Sequence, residues 1–165
     1  MLRSRAQRTS RLANDGVLVN HGPMVGQAPP PAEDTATPAP LHVVRAWVAA
    51  VNAQDVPAVM ARSTRDIAIS GPRGTARGQP ALRDWVERTG LQMSIARAFV
   101  REGHVVLLHH AVWRDRQGLA IAEATIANRF EVSGDRISAV ARYDGLAEAL
   151  LDAGLTDAHE WSPAE

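Results

Sequence analysis

The stretch "VVLLHHAVWRD", residues 105–115, sets His109 and His110 side by side in an apolar run. Two imidazoles could share a metal ion, relay a proton, or work separately. If the run is a strand, the first two options fail, because neighbouring side chains on a strand point to opposite faces. His104 has the parity of His110 but lies ~20 Å away along such a strand. The chain has no cysteine and no H-x-H or H-x-x-x-H spacing, so no metal is expected. His109 is left with two readings: a core histidine satisfied by a partner, or an acid, base or donor in a pocket.

The elements that must position it can be read from periodicity. "LHVVRAWVAAVNAQD" places Val44, Trp47, Val48 and Val51 on one helical stripe. Asp55 can cap a short second helix, "VPAVMAR", with Pro57 in its first turn. "DIAIS" and "TARG" flank "GPRG" as a small hairpin. "QPALRDWVERTG" is a third helix, with Leu82, Trp85, Val86 and Thr89 inward and Gly90 as its stop. Four strands follow, "MSIARAFV", "HVVLLHHAVWRD", "LAIAEATIANRFEV" and "RISAVARYD", separated by the turn signals "REG", "RQG" and "SGD". "GLAEALLDAG" closes the periodic part as a helix. Helices first and a meander afterwards predict an α+β fold, with helices on one face of a curved sheet.

Composition narrows the function class. Acidic and basic residues number 18 each, and no basic stripe marks a nucleic-acid binder. The apolar runs are far short of the ~20 residues that span a bilayer, and the arginine-containing start lacks the apolar core of a secretory signal. A soluble cytoplasmic protein without nucleic-acid or membrane partners is expected. Residues 1–40, with Arg3, Arg5, Arg8 and Arg11 and then "GQAPPPAEDTATPAP", hold too few large apolar residues to order. They are read as a disordered proline-rich extension, with Met24 as an alternative start. The domain is assigned to residues 41–155 and a polar tail to 156–165.

The element order, with "VNAQD", "GPRGTARGQPALRDWV" and "FEVSGDRISAVARYD" in place, resembles the nuclear transport factor 2-like superfamily. More narrowly it resembles the SnoaL-like branch, near ketosteroid isomerase and limonene-epoxide hydrolase relatives. The resemblance implies a cystatin-like cone: three N-terminal helices packed on a curved antiparallel four-stranded sheet, plus a small hairpin. It also implies a pocket for a small hydrophobic molecule, in a family that holds isomerases, cyclases, dehydratases and proteins without chemistry.

Residue by residue, the isomerase's base falls on Gly71, before Pro72, and its tyrosine on Trp47. Its acidic oxyanion donor falls near Asn128. The epoxide hydrolase's catalytic set falls on His109, Ala111 and Arg142, without either carboxylate. The family's register turns His109 inward with Val105, Leu107, Ala111 and Trp113, facing the Ala122, Ala124, Ile126, Asn128 and Phe130 row. On the last strand, hydrophobicity favours burial of Ile137, Ala139, Ala141 and Tyr143, whereas the resemblance puts Arg142 and Asp144 at the pocket. His109, Asn128 and Arg142 are therefore the expected catalytic group. Trp47, Trp85, Trp113, Ile126 and Asp144 are the expected ligand contacts, and no cofactor is expected. The alternative is a non-catalytic member serving ligand binding or protein association.

Strand 105–113 is apolar on both faces. A homodimer is therefore expected through the outer row of Val106, Leu108, Val112, Ala139, Ala141 and Tyr143. Because residues 1–40 lack the periodicity of a buried element, their deletion should leave the melting temperature nearly unchanged; a loss of several degrees would show that they pack on the domain.

Overall fold

The computed structural model describes residues 37–163. Helix α1 (Ala39–Asn52) buries Leu41, Val44, Trp47, Val48 and Val51 along one stripe. It begins inside the span read as extension, because Pro40 suits a first helical turn, where no amide hydrogen bond is lost. The rest of that extension and the alternative start at Met24 lie outside the described residues. Helix α2 (Val56–Ala61) starts at Asp55, whose carboxylate accepts the Ala58 N–H at 3.1 Å. The hairpin β1 (Ser63–Gly71) and β2 (Gly74–Arg77) leads into helix α3 (Gln79–Thr89). Strands β3 (Leu91–Arg101), β4 (His104–Arg114), β5 (Ala120–Ser133) and β6 (Arg136–Tyr143) follow, then helix α4 (Leu146–Ala153). A 3₁₀ turn at Asp157–His159 and a short strand β7 (Glu160–Trp161) complete the element order.

The strands form one seven-stranded sheet in the order β2-β1-β6-β5-β4-β3-β7, which corrects the expected four strands with a separate hairpin. The meander supplies β3 to β6, but β1 lies parallel to β6, joining Ile69 to Val140 and Ser70 to Ala141 in register. A crossover of this length has no local turn signal, so only the antiparallel neighbours could be read from the chain. Residues expected in a polar tail instead supply the opposite edge. Glu160 receives Arg97 through two bonds of 2.8 Å, and the Arg45 guanidinium lies 4.5 Å from the Trp161 ring centroid.

Helices pack on both faces of the sheet, the outer one covered in part by the fourth helix. On the inner face α1, α2 and α3 pack with Val105, Leu107, Ala111, Ile126, Phe130, Ile137 and Val140. On the outer face α4 sets Ala149 and Leu150 against Phe99, Val106 and Ala127, with Tyr143 and Leu146 beside them. Arg129 on β5 donates to the Asp152 carboxylate at 2.6 Å, and the Tyr143 hydroxyl donates to the same group. Val106 and Tyr143, assigned above to a dimer contact, are thus packed beneath the chain's own helix.

A bulge resolves the conflicting patterns on β6. Glu131 pairs with Ala139 but Val132 pairs with Ile137, so Ser138 is an extra residue on that strand. One extra residue inverts the alternation, which puts Ile137 inside at one end and Val140 inside at the other. Arg142 shares the parity of Val140, opposite Asn128.

Gly90, the left-handed residue ending α3, is the tightest joint in the layer (φ +51°). A Cβ there would lie 2.0 Å from the Arg114 carbonyl oxygen, where the β4 backbone also donates to the Gly90 carbonyl at 2.9 Å. Gly90→Ala should cost at least ~2 kcal/mol from left-handed strain and overpacking together. Gly154→Ala, also left-handed (φ +71°) but with nothing within 4 Å, should cost only ~1 kcal/mol. Urea midpoints at unchanged slope would check the contrast, and equal losses would refute the clash.

Candidate active site

The hairpin, α3 and the inner sheet face enclose a cavity of about 770 Å³. Ile69 to Ala76 of the hairpin form one side, and Ala81, Asp84, Trp85 and Arg88 of α3 another. The sheet contributes Leu91, Trp113, Ile126, Asn128, Val140 and Arg142. A space of this size holds a small organic molecule, with mostly apolar walls and a few polar points.

Its aromatic wall is held from behind. Trp47 does not line the cavity; it is buried and stacks on Trp85, ring centroids 6.1 Å apart and planes 18° from parallel. The Phe130 ring meets Trp47 edge-on at 5.7 Å. The Trp47 indole N–H donates to the Ser63 hydroxyl at 2.9 Å, which donates to the Val59 carbonyl at 2.7 Å. A buried indole needs such a partner, and Ser63, itself fully buried, supplies it. Trp47 therefore backs Trp85 from outside the lining.

Asn128 and Arg142 face each other directly across β5 and β6. Opposed residues of an antiparallel pair have Cβ atoms ~5 Å apart, so the two can approach one ligand group together. The Arg142 guanidinium lies 5.2 Å from the Trp113 ring centroid. Its Nε is buried without a partner, and its Nη2 reaches the exposed Asp144 carboxylate only at 3.4 Å. Asp144 stays outside the lining, contrary to the expected ligand contact, because it lies past the end of β6 and is solvated.

His109 turns inward but stops short of the cavity. It is fully buried, and its Nε2 lies 2.6 Å from the Asn128 Oδ1. The amide oxygen accepts, so Nε2 carries the proton and donates, and Nδ1 remains a buried atom without a partner. Burial lowers the His109 pKa from its ordinary value, opposed by the Asn128 hydrogen bond and the nearby His110 backbone, and reinforced by the Arg142 and His110 charges. The expected pocket base is thus a neutral residue behind the pocket wall. His110 lies on the outer face, exposed, with its Nε2 3.4 Å from Glu123.

Sequence reading missed Ser70, Arg73, Thr75, Asp84 and Arg88 as cavity residues. The "GPRG" turn and the polar face of α3 held the signal, but both resemble solvated surface. Asp84 is the lining's one carboxylate, 4.0 Å from Arg88 and largely exposed at the mouth. Gly71, where the isomerase's base would fall, does line the cavity, with no carboxylate to offer. Among the described residues no group of three or more His, Asp or Glu side chains could hold a metal ion. No helix among them is long and apolar enough to cross a membrane.

Helices on a curved mixed sheet, with an apolar cavity beside them, define a small α+β fold. Residues 44–140 match the SnoaL-like domain, and the chain belongs to that family. No curated protein sequence matches it. Among solved structures it is similar to a nuclear transport factor 2-like protein of unknown function from Cytophaga hutchinsonii, at 16% identity and a TM-score of 0.56, covering 63% of this chain and 88% of that one. It is also similar to a limonene-epoxide-hydrolase-like epoxide hydrolase of M. tuberculosis, at 21% identity and a TM-score of 0.58, covering 71% and 92%. A third similarity is to TerC co-crystallized with polyporic acid, at 11% identity and a TM-score of 0.56, covering 70% and 97%. Identities this low carry the fold and not the reaction.

Neutral in the fold and with a lowered pKa, His109 should make stability depend on pH. The unfolded chain takes up a proton near pH 6.5 that the folded chain resists, so this contribution is present above about pH 6.5 and lost as pH falls below it. His109→Gln, which can still donate to Asn128, should flatten that part of the profile. Urea unfolding of both proteins between pH 5 and pH 8 would check it; parallel profiles would show that His109 does not resist protonation.

Proposed function

We propose that the chain is a binding domain for a small hydrophobic molecule, which it holds in the cone cavity with an oxygen turned toward Asn128 and Arg142. One observation carries this reading: the polar side chains on the cavity's sheet wall are hydrogen-bond donors, and the nearest imidazole is sealed behind one of them. Donors can hold and polarise an oxygen, but abstraction of a proton also needs a base in reach of the ligand. This supports the non-catalytic branch of the family over the isomerase, cyclase or dehydratase reading. Similarity to a protein crystallised with polyporic acid fits a ligand-holding cone.

A catalytic form of this reading would have to use Asp84, the one carboxylate in the lining, with Asn128 and Arg142 stabilising the charge that develops on oxygen. Cytoplasmic location belongs to this proposal as well. The homodimer expected above belongs to this proposal too, through Leu108, Val112, Ala139 and Ala141, which are half-buried on the outer face.

The neutral apolar dye N-phenyl-1-naphthylamine tests the cavity. It should bind saturably, one molecule per chain, with a rise in fluorescence. Trp85→Ala and Trp113→Ala should each weaken it by roughly ten-fold, the weight of one aromatic wall. Absence of saturable binding, or affinities untouched by both substitutions, would reject the cavity as the site.

A further inference from the structure

Resting on that reading, we propose that the ligand is an organic anion: a flat apolar body carrying a carboxylate or an ionised enol or phenol oxygen, with the charged oxygen held by Arg142 and Asn128. Three independent observations carry it.

The first is the balance of charge around the cavity. Arg73, Arg88 and Arg142 line it against Asp84 alone, and Asp84 lies at the mouth beside Arg88. Asp144, exposed and 3.4 Å from Arg142, is too solvated to neutralise that guanidinium. An anion moved out of water needs a partner of opposite charge as well as hydrogen bonds. This wall provides both.

The second is the direction of the donors. His109 occupies the Asn128 Oδ1 with its own proton, which turns the Nδ2 end of the amide away from the imidazole. Among the described residues no side chain or backbone group accepts from that Nδ2. Among the described residues the Arg142 guanidinium bonds only through Nη2, to the exposed Asp144 carboxylate at 3.4 Å. The Ser70 and Thr75 hydroxyls, the only hydroxyls in the lining, bond to each other at 2.9 Å. Two unfilled donor groups, one of them cationic, therefore stand ~5 Å apart at their Cβ atoms on one wall. That arrangement suits a carboxylate or two neighbouring oxygens of a conjugated anion.

The third is the shape of the apolar part. Trp85 and Trp113 both line the cavity, Trp85 stiffened by Trp47 and Trp113 lying under the Arg142 guanidinium. Rigid aromatic walls favour a planar body. Stacking on Trp113 also holds the guanidinium in place before a ligand arrives, which reduces the ordering cost of binding.

The test is calorimetric titration of the full chain at pH 7.5 with 2-naphthoate and with 2-naphthylmethanol, which share a planar body and differ in the head. The wild type should bind the carboxylate at least about ten-fold tighter, the effect of one charge-assisted hydrogen bond. Arg142→Gln should bring the ratio of the two affinities to about one. Asn128→Asp, which puts a carboxylate beside Arg142, should do the same should the first variant fold poorly. Equal affinities in the wild type, or a preference that survives in either variant, would overturn the anion assignment and leave the hydrophobic cavity standing. Failure of both probes to bind would overturn the cavity reading and this inference with it.

Discussion

Strand β4 is largely apolar on both faces, and that constraint organises the rest of the molecule. Val105, Leu107 and Ala111 point one way from β4, Val106 the other, and all are fully buried. An antiparallel sheet commonly leaves one face to water, so a strand like this must be covered twice. The chain does it with elements from its two ends. The N-terminal helices take the inner face and α4 returns across the outer one. Because α4 contributes only eight residues, its seat is reinforced by polar links from Arg129 and Tyr143 to Asp152. The inner face is longer than α1 and α2 can fill, and the remainder, roofed by α3 and the hairpin, is the cavity.

Much of this was legible along the chain because it rests on local periodicity. The stripe of Val44, Trp47, Val48 and Val51 predicted α1, and the turn signals predicted each reversal of the meander. What the sequence could not show was pairing between distant segments. Nothing near Ile69 announces Val140 as its parallel neighbour, and the two-residue β7 is too short to carry a period. The β6 bulge hid itself in a different way. A single extra residue at Ser138 made hydrophobicity correct for Ile137 and the family register correct for Arg142, although the two patterns looked incompatible.

The site was legible as a face but not as a depth. Alternation tells which side of a sheet His109 and Asn128 occupy, and both face the helices. It does not tell how far each lies from the open end. That depends on where α1 stops covering the sheet, and Trp47 marks the limit: stacked on Trp85, it belongs to the packed side, and Trp85 to the open side. Two residues read as equivalent pocket groups are therefore arranged in series, with the histidine behind the asparagine.

That serial arrangement gives the histidine a physical role without contact to a ligand. An asparagine amide can present either end to a cavity, an acceptor or a pair of donors, and the choice decides what it can bind. With the amide oxygen 2.6 Å from Nε2, the imidazole must carry its proton there, and the donor end of the amide is left to the other side. Leucine in its place would fill similar space but leave the amide free to turn and its oxygen unsatisfied. Arg142 reinforces the same polarity, since its positive charge opposes a second proton on His109. One cation and one oriented amide thus share the wall, and neither can act as a base. In the proposed reading that pairing suits an electron-rich oxygen, and a proton could be removed only by another group, of which Asp84 is the lining's one carboxylate.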